Sequence, residues 1–220
     1  NVPMPVLPEI VDCAGNLGNA HTGLSKQLPI LSAIGDQQSA SVGQACFHPG
    51  SVKATFGTGC FVILNTGGRI LKSSNRLLTT IGLQLNQKQT FAMEGSIFVA
   101  GAVIQWLRDG IGLLKDAKQS EKIASELASN KGVYMVPAFT GLGAPHWSAD
   151  ARGAIFGITR DTSPEDFIRA ALEAVAYQTN DLISAMAKDG MRPTNIKVDG
   201  GMAANNWLMQ FLSDIVDIKV

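Results

Sequence analysis

Four stretches rich in β-branched and large apolar residues, 52–56, 60–65, 77–86 and 89–94, predict a run of strands. Asn65-Thr66-Gly67-Gly68 and Asn86-Gln87-Lys88 supply turns between them. The period then changes. "GSIFVAGAVIQWLRDGIG" and "SEKIASELASN" read as helices, the second capped by Ser120 with Glu121 in its first turn. "GVYMVPAF" and "GAIFGITR" read as short buried strands separated by the Gly/Pro loop "TGLGAPHWSADAR". A long helix opens on Ser163 as N-cap and Pro164 at its first position, with Phe167, Ala171, Leu172, Val175 and Ile183 on one face. Gly190 ends it, "NIKVD" forms a strand, and Gly200-Gly201 turns into a last helix, "AANNWLMQFLSDIV". Ahead of all this, "AGNLGNAHTG" reads as a loop, "LPILSAIGDQQ" as a short apolar run, and "QQSASVGQACF" as a small-residue helix. Strands followed by alternating helix and strand make an α/β chain.

Composition narrows the class. Of 220 residues, 45% are hydrophobic and 16% charged, which is a folded rather than a disordered balance. Eighteen basic residues offset eighteen acidic ones, so charge gives no case for nucleic acid or a membrane surface. Cys13, Cys46 and Cys60 are odd in number and lack CxxC spacing, which favours reduced thiols and a cytoplasmic setting over a disulfide framework or metal site. The most apolar stretch, Ile97 to Leu107, is too short to cross a bilayer. The opening "NVPMPVLPEI" has no signal-peptide pattern. Starting without Met and stopping in "SDIVDIKV", the sequence reads as cut at both ends.

Three short elements could carry chemistry. In "KVDGGMAANN" a strand runs through two glycines into a helix, which brings backbone N–H groups to the strand's end and suits a phosphate or nucleotide. An ordinary tight turn would leave the same pattern. "TFGTG" fits neither GxGxxG nor GxxxxGK[ST]. It predicts a hairpin in which Gly57, Thr58 and Gly59 either form a small anion nest or serve sheet geometry alone. In "GDQQ", Asp36 is placed where a general base or a helix cap would stand, beside two amides able to orient a hydroxyl. His21, His48 and His146 share no ligand spacing and read as surface or hydrogen-bonded structural residues. Cys60 reads as a small buried hydrophobe, Trp106 and Trp207 as core, and no GxSxG is present.

The order of these elements carries a family resemblance. "GDQQSASVGQACFHPGSVKATFGTGCFVILNTG", "AMEGSIFVAGAVIQWLRDG", "VPAFTGLGAPHWSADARGAIFGITR", "LEAVAYQTNDL" and "VDGGMAANNWLMQFLSDI" together resemble the FGGY carbohydrate kinases, and within them the glycerol-phosphorylating branch. The resemblance implies an actin/hexokinase-like ATPase, with ribonuclease-H-like domains of mixed sheet and flanking helices around a cleft. It implies ATP with Mg²⁺, glycerol as the small-molecule substrate, no nucleic-acid or membrane partner, and leaves a homo-oligomer open. Asp36 matches the catalytic base, Gln37 an amide that hydrogen-bonds glycerol, and Phe61 the apolar wall behind it. Gly57, Thr58 and Gly59 match the turn near the transferred phosphates, and Gly101, Gln105, Gly201 and Asn205 match nucleotide contacts. Residues 1–45 match the tail of the first domain and 46–220 most of the second. The family's first phosphate loop, its acidic metal-site residue and the Arg-Glu pair and Tyr that hold the substrate have no counterpart in these residues. Gln27 stands where regulated bacterial members carry Arg, which speaks against control by fructose 1,6-bisphosphate. A sibling kinase for another polyol and a non-catalytic actin-like ATP-binding module are the alternatives.

Overall fold

The computed structural model describes residues 2–20, 23 and 27–220; His21 lies outside the described residues. Near the start, β1 (Asn19–Ala20) and β2 (Leu28–Pro29) form a two-residue antiparallel ladder, followed by α1 (Asp36–Gly43). The strand-rich stretch is β3 (Ser51–Phe56), β4 (Cys60–Gly67), β5 (Leu78–Leu85) and β6 (Lys88–Ile97). Then come α2 (Gly101–Gln105), a π-helical turn (Trp106–Gly110) and α3 (Gln119–Glu126). The short pair β7 (Tyr134–Val136) and β8 (Ala154–Phe156) precedes α4 (Pro164–Lys188), β9 (Asn195–Asp199), a 3₁₀ turn (Gly201–Ala204) and α5 (Asn206–Val216).

The main sheet runs β5-β6-β4-β3-β9. β3 to β6 form an antiparallel meander, and β9 joins β3 in parallel. A parallel neighbour needs a long crossover, which α4 supplies. The result is the expected mixed sheet with flanking helices.

Side chains alternate across a strand, so the register assigns each strand position to a face. One face carries Val52, Ala54 and Phe56 of β3, Val62 and Leu64 of β4, Met93 of β6 and Ile196 of β9. These residues share the buried core with Leu172, Val175, Leu182 and Met186 of α4 and Leu208 and Leu212 of α5. The opposite face is mostly polar: Lys53 and Thr55 of β3, Glu94 and Ser96 of β6, and Lys197 and Asp199 of β9, with Phe61 and the buried Ile63 between them on β4. α1 lies over this second face, tied to it by Gln44, whose amide donates to Asp199 Oδ2 at 3.3 Å.

Three local expectations are corrected. The helix predicted from Gly95 begins only at Gly101, because Glu94–Ile97 continue β6 opposite Cys60–Ile63 of β4. Gly95 is small for another reason: a Cβ there would stand 2.8 Å from Leu182 Cδ2 of α4. Ser120 is not the cap of α3; Lys118 holds that position, and the Ser120 hydroxyl donates to the Ala117 carbonyl at 2.7 Å. Asn65 and Thr66 belong to β4, which reaches Gly67 through a bulge. The hairpin turn at Asn86-Gln87 is as predicted, with both residues at positive φ. The Ser163–Pro164 start of α4 is also as predicted. Asp166 accepts the Ser163 N–H at 2.8 Å, half of a reciprocal capping box.

Candidate active site

The Gly57-Thr58-Gly59 turn joins β3 to β4 at the sheet edge where β9 also ends and α2 begins. Protein backbone packs closely against it on two sides. A Cβ on Gly59 would stand 2.6 Å from the Ile97 carbonyl oxygen, and one on Gly200 would stand 2.4 Å from that of Phe56. Gly200 also sits at φ +90°, which an L side chain rarely adopts. Gly57 differs, since a Cβ there would meet only the Gly59 carbonyl, at 3.9 Å, and the position is exposed.

The turn and α2 are hydrogen-bonded to each other. Gly101 N–H donates to the Gly57 carbonyl at 2.9 Å, and Ala100 and Ala102 donate to that of Thr58 at 2.9 and 3.0 Å. The first donors of α2 are therefore occupied, which removes this helix terminus as an anion site. Thr58 itself is exposed, and among the described residues neither its N–H nor its hydroxyl has a protein partner.

Behind the turn opens a cleft of about 480 Å³. It gathers Gly57, Thr58, Gly101, Gln105, Gly201 and Asn205, residues spread over 149 positions of sequence (205 − 57 + 1). Its walls pair an apolar patch of Ile104, Leu172, Met202 and Ala204 with the polar groups of Arg108, Lys118, Ser120 and Glu121. A slot with apolar walls and a few convergent polar groups is the general form of a small-molecule or nucleotide site.

The α5 end of the cleft corrects another expectation. Its N-terminal donors do not face open space. Asn205 caps the helix, its Oδ1 accepting the Leu208 N–H at 2.9 Å, and Glu121 accepts the Asn206 N–H at 3.1 Å. A phosphate placed there would meet the Glu121 carboxylate. Capping also fixes the Asn205 amide: with Oδ1 taken, its NH₂ aims toward Ser120 on the cleft wall, 3.5 Å away. The arrangement suits a neutral, hydrogen-bonding group against apolar walls at the α5 end and leaves the Thr58 end for negative charge.

Asp36, Gln37 and Phe61 lie outside that cleft, on the polar face of the sheet. Asp36 is exposed as the first residue of α1, and its Oδ1 accepts the Gln37 N–H at 2.7 Å. Phe61 is 41% exposed, opposite Thr55 and Ser96 in the sheet. An unshielded aromatic on a polar face leaves apolar area for something else to cover. Below Gln37 lies Lys53, which sequence reading passed over. Its ammonium is buried and donates to Gln37 Oε1 at 2.5 Å. Burial pulls Lys53 below the ordinary lysine range, while the charges of Asp199, Asp36 and Glu94 act in the opposite sense.

The remaining candidates are structural. Cys60 has no exposed surface, and burial pushes its thiol far above the usual range, so it packs as an inert hydrophobe. His146 is exposed with Nε2 3.1 Å from Asp181, and His48 is exposed. Trp106 packs against Phe139, and Trp207 against Phe211. Arg108, Lys118 and Glu121 of the cleft left no sequence signal, since charged residues in and beside short helices are commonplace on solvated faces.

Comparison with known proteins gives this geometry its context. Residues 52–220 match the family model described as "FGGY family of carbohydrate kinases, C-terminal domain". Curated glycerol kinases from Alteromonas mediterranea and Rhizobium meliloti are each 56% identical over the whole chain, which covers 45% of either relative. The crystal structure of Plasmodium falciparum glycerol kinase with ADP superposes with a TM-score of 0.90 at 40% identity, over 98% of this chain and 44% of that one. Xylulose kinase from Rhodospirillum rubrum shares the fold at 22% identity, with a TM-score of 0.81 over 99% of this chain and 45% of its own. The chain thus spans under half the length of the relatives it matches. With the family model matching residues 52–220, well over half of its length, the chain belongs to the FGGY family of carbohydrate kinases.

Proposed function

We propose that the protein bearing this chain transfers the γ-phosphoryl group of ATP to glycerol, giving sn-glycerol 3-phosphate and ADP. Residues 1–45 would close the first, substrate-side domain and residues 46–220 form most of the second, nucleotide-side domain. The observation that carries the reading is convergence: six of the seven residues expected to contact nucleotide line one cleft, Gly59 being packed against the Ile97 carbonyl instead, and the expected base, amide and apolar wall share the adjoining face of the sheet. The adenosine end lies against Ile104, Met202 and Asn205, and the phosphates reach out past Thr58. Asp36 accepts the proton of the attacking hydroxyl, Gln37 donates to a neighbouring hydroxyl, and Phe61 covers the carbon chain. Phosphoryl transfer asks a protein chiefly for such positioning and for donors aimed at phosphate oxygens.

Among the described residues no group of three His, Cys, Asp or Glu side chains could hold a metal ion. That donor set fits Mg²⁺ only as an ion brought by the nucleotide and held largely by phosphates and water, with few protein ligands. When bound, Mg²⁺ would neutralise charge on the phosphates. The three unpaired cysteines support a cytoplasmic setting, and among the described residues no helix is long and apolar enough to cross a membrane.

ADP release by the full-length protein tests the reading. The expected result is a higher kcat/KM for glycerol than for xylulose or erythritol. Preference for xylulose would move the assignment to a sibling kinase, and no turnover with any polyol would leave a nucleotide-binding module. The 220 residues alone are expected to release little ADP, because the resemblance places the facing phosphate loop and the substrate clamp elsewhere.

A further inference from the structure

We infer that Lys53 is a positioning residue that orients the Gln37 amide for substrate. Lys53 lies in the middle of β3 with no exposed surface, and it forms no ion pair among the described residues. A buried ammonium without a carboxylate partner is costly to keep, so its presence on a sheet face calls for a function. Its one hydrogen bond among the described residues runs to Gln37 Oε1 at 2.5 Å. An ammonium only donates, so it accepts only one orientation of an amide: oxygen facing the sheet, NH₂ turned away. Nothing among the described residues takes up that NH₂, and Asp36 and Phe61 are exposed on the same side. Gln37 is thereby presented as a donor next to the carboxylate that accepts a proton. Without Lys53 the amide is free to rotate and offer its oxygen instead. Burial lowers the Lys53 pKa, and the charges of Asp199, Asp36 and Glu94 offset part of that cost without pairing with the ammonium.

The inference rests on reading Gln37 as a donor to a substrate hydroxyl, and a double-mutant cycle in the full-length protein separates the two. Lys53→Met is close to isosteric, Gln37→Ala removes the amide, and the double variant combines them. Gln37→Ala is expected to raise KM for glycerol about tenfold, the usual effect of one lost hydrogen bond at a site. Lys53→Met is expected to do nearly the same, with KM for ATP within about twofold of the parent. On the Gln37→Ala background, Lys53→Met should change KM for glycerol by less than about twofold. Lys53→Gln, which keeps a donor but adds an acceptor, should fall between parent and Lys53→Met, and it serves if Lys53→Met does not fold. Equal damage by Lys53→Met with and without Gln37, or equal rises in both KM values, would overturn the positioning role. So would an unchanged glycerol KM in Lys53→Met when Gln37→Ala raises it. No effect of Gln37→Ala itself would instead defeat the reading of Gln37, and the role of Lys53 with it.

Discussion

Gly101 stands so close to Gly57 that a Cβ added to it would lie 2.6 Å from the Gly57 carbonyl oxygen. The same carbonyl accepts the Gly101 N–H at 2.9 Å, so the start of α2 is sewn to the hairpin turn, backbone to backbone. Gly101→Ala cannot be relieved by a side-chain movement, because the obstacle is main chain. It is expected to cost about 1–3 kcal/mol in urea unfolding, and to raise KM for ATP by displacing the Thr58 turn. An unfolding midpoint equal to that of the parent would show that the turn moves freely.

Gly201 provides the contrast. Nothing lies within 4 Å of where its Cβ would be, and its φ is not left-handed. Gly201→Ala should leave stability within about 0.5 kcal/mol. If nucleotide lies on this glycine, the methyl group nevertheless intrudes on it, and ATP affinity by calorimetry should fall several-fold. A variant that binds ATP as the parent does would remove Gly201 from the nucleotide path.

Asp36→Asn addresses the chemistry. The residue is exposed and its one side-chain contact is local, so unfolding should be nearly unchanged. Loss of a general base typically lowers turnover by about 10²–10⁴-fold. Measured kcat should drop by that order while KM for ATP holds. Retained turnover would assign proton transfer elsewhere.

How much of this was legible follows from how local each feature is. Strand, turn and long-helix signals need only neighbouring residues, so β3, the Asn86-Gln87 turn and the Ser163 start of α4 were readable. Gly95 misled because its smallness answers to Leu182, 87 positions away (182 − 95), and without that contact the run around it looks helical. The α5 terminus looked open because Glu121, which occupies it, arrives from a different helix. Lys53 was invisible for a similar reason. In "VKATF" a lysine at an alternating position looks like a solvated strand residue, and only α1 folding over that face buries it.

Asp166 gives the acid side of the stability curve. Its side chain has no exposed surface, and burial alone would raise its pKa. The Ser163 N–H and hydroxyl and the Lys131 ammonium more than offset that and hold the carboxyl below its ordinary range. A depressed carboxyl stabilises the fold above its unfolded pKa of about 3.9, and the contribution disappears as pH falls through the folded value. Asp166→Asn keeps an acceptor oxygen for the Ser163 N–H but loses the charge that Lys131 pairs with, and should therefore cost about 1–2 kcal/mol at neutral pH. The gap between variant and parent should close as pH drops below about 4. A gap independent of pH would mean that shape rather than charge makes the capping box.

Lys53 supplies the alkaline counterpart, with the opposite outcome for stability. Burial lowers its pKa against the opposing charges of Asp199, Asp36 and Glu94, with Lys197 beside it in the sheet. A lysine with a lowered folded pKa binds fewer protons in the native than in the unfolded state between that value and about 10.4. Stability of the parent should thus rise with pH across that window, as the buried charge is relieved. In Lys53→Met the penalty is gone at every pH. Asp36 is exposed and Asp199 and Glu94 are half-buried, so removing the ammonium strands no buried carboxylate. Lys53→Met should match the parent at neutral pH or exceed it by up to about 2 kcal/mol, and the difference should shrink toward pH 10. Denaturation in urea at both ends of the window measures it. A variant that folds at least as well as the parent but reads glycerol poorly would mark Lys53 as a residue kept at the expense of stability, whereas a loss above about 2 kcal/mol would make it a structural pin.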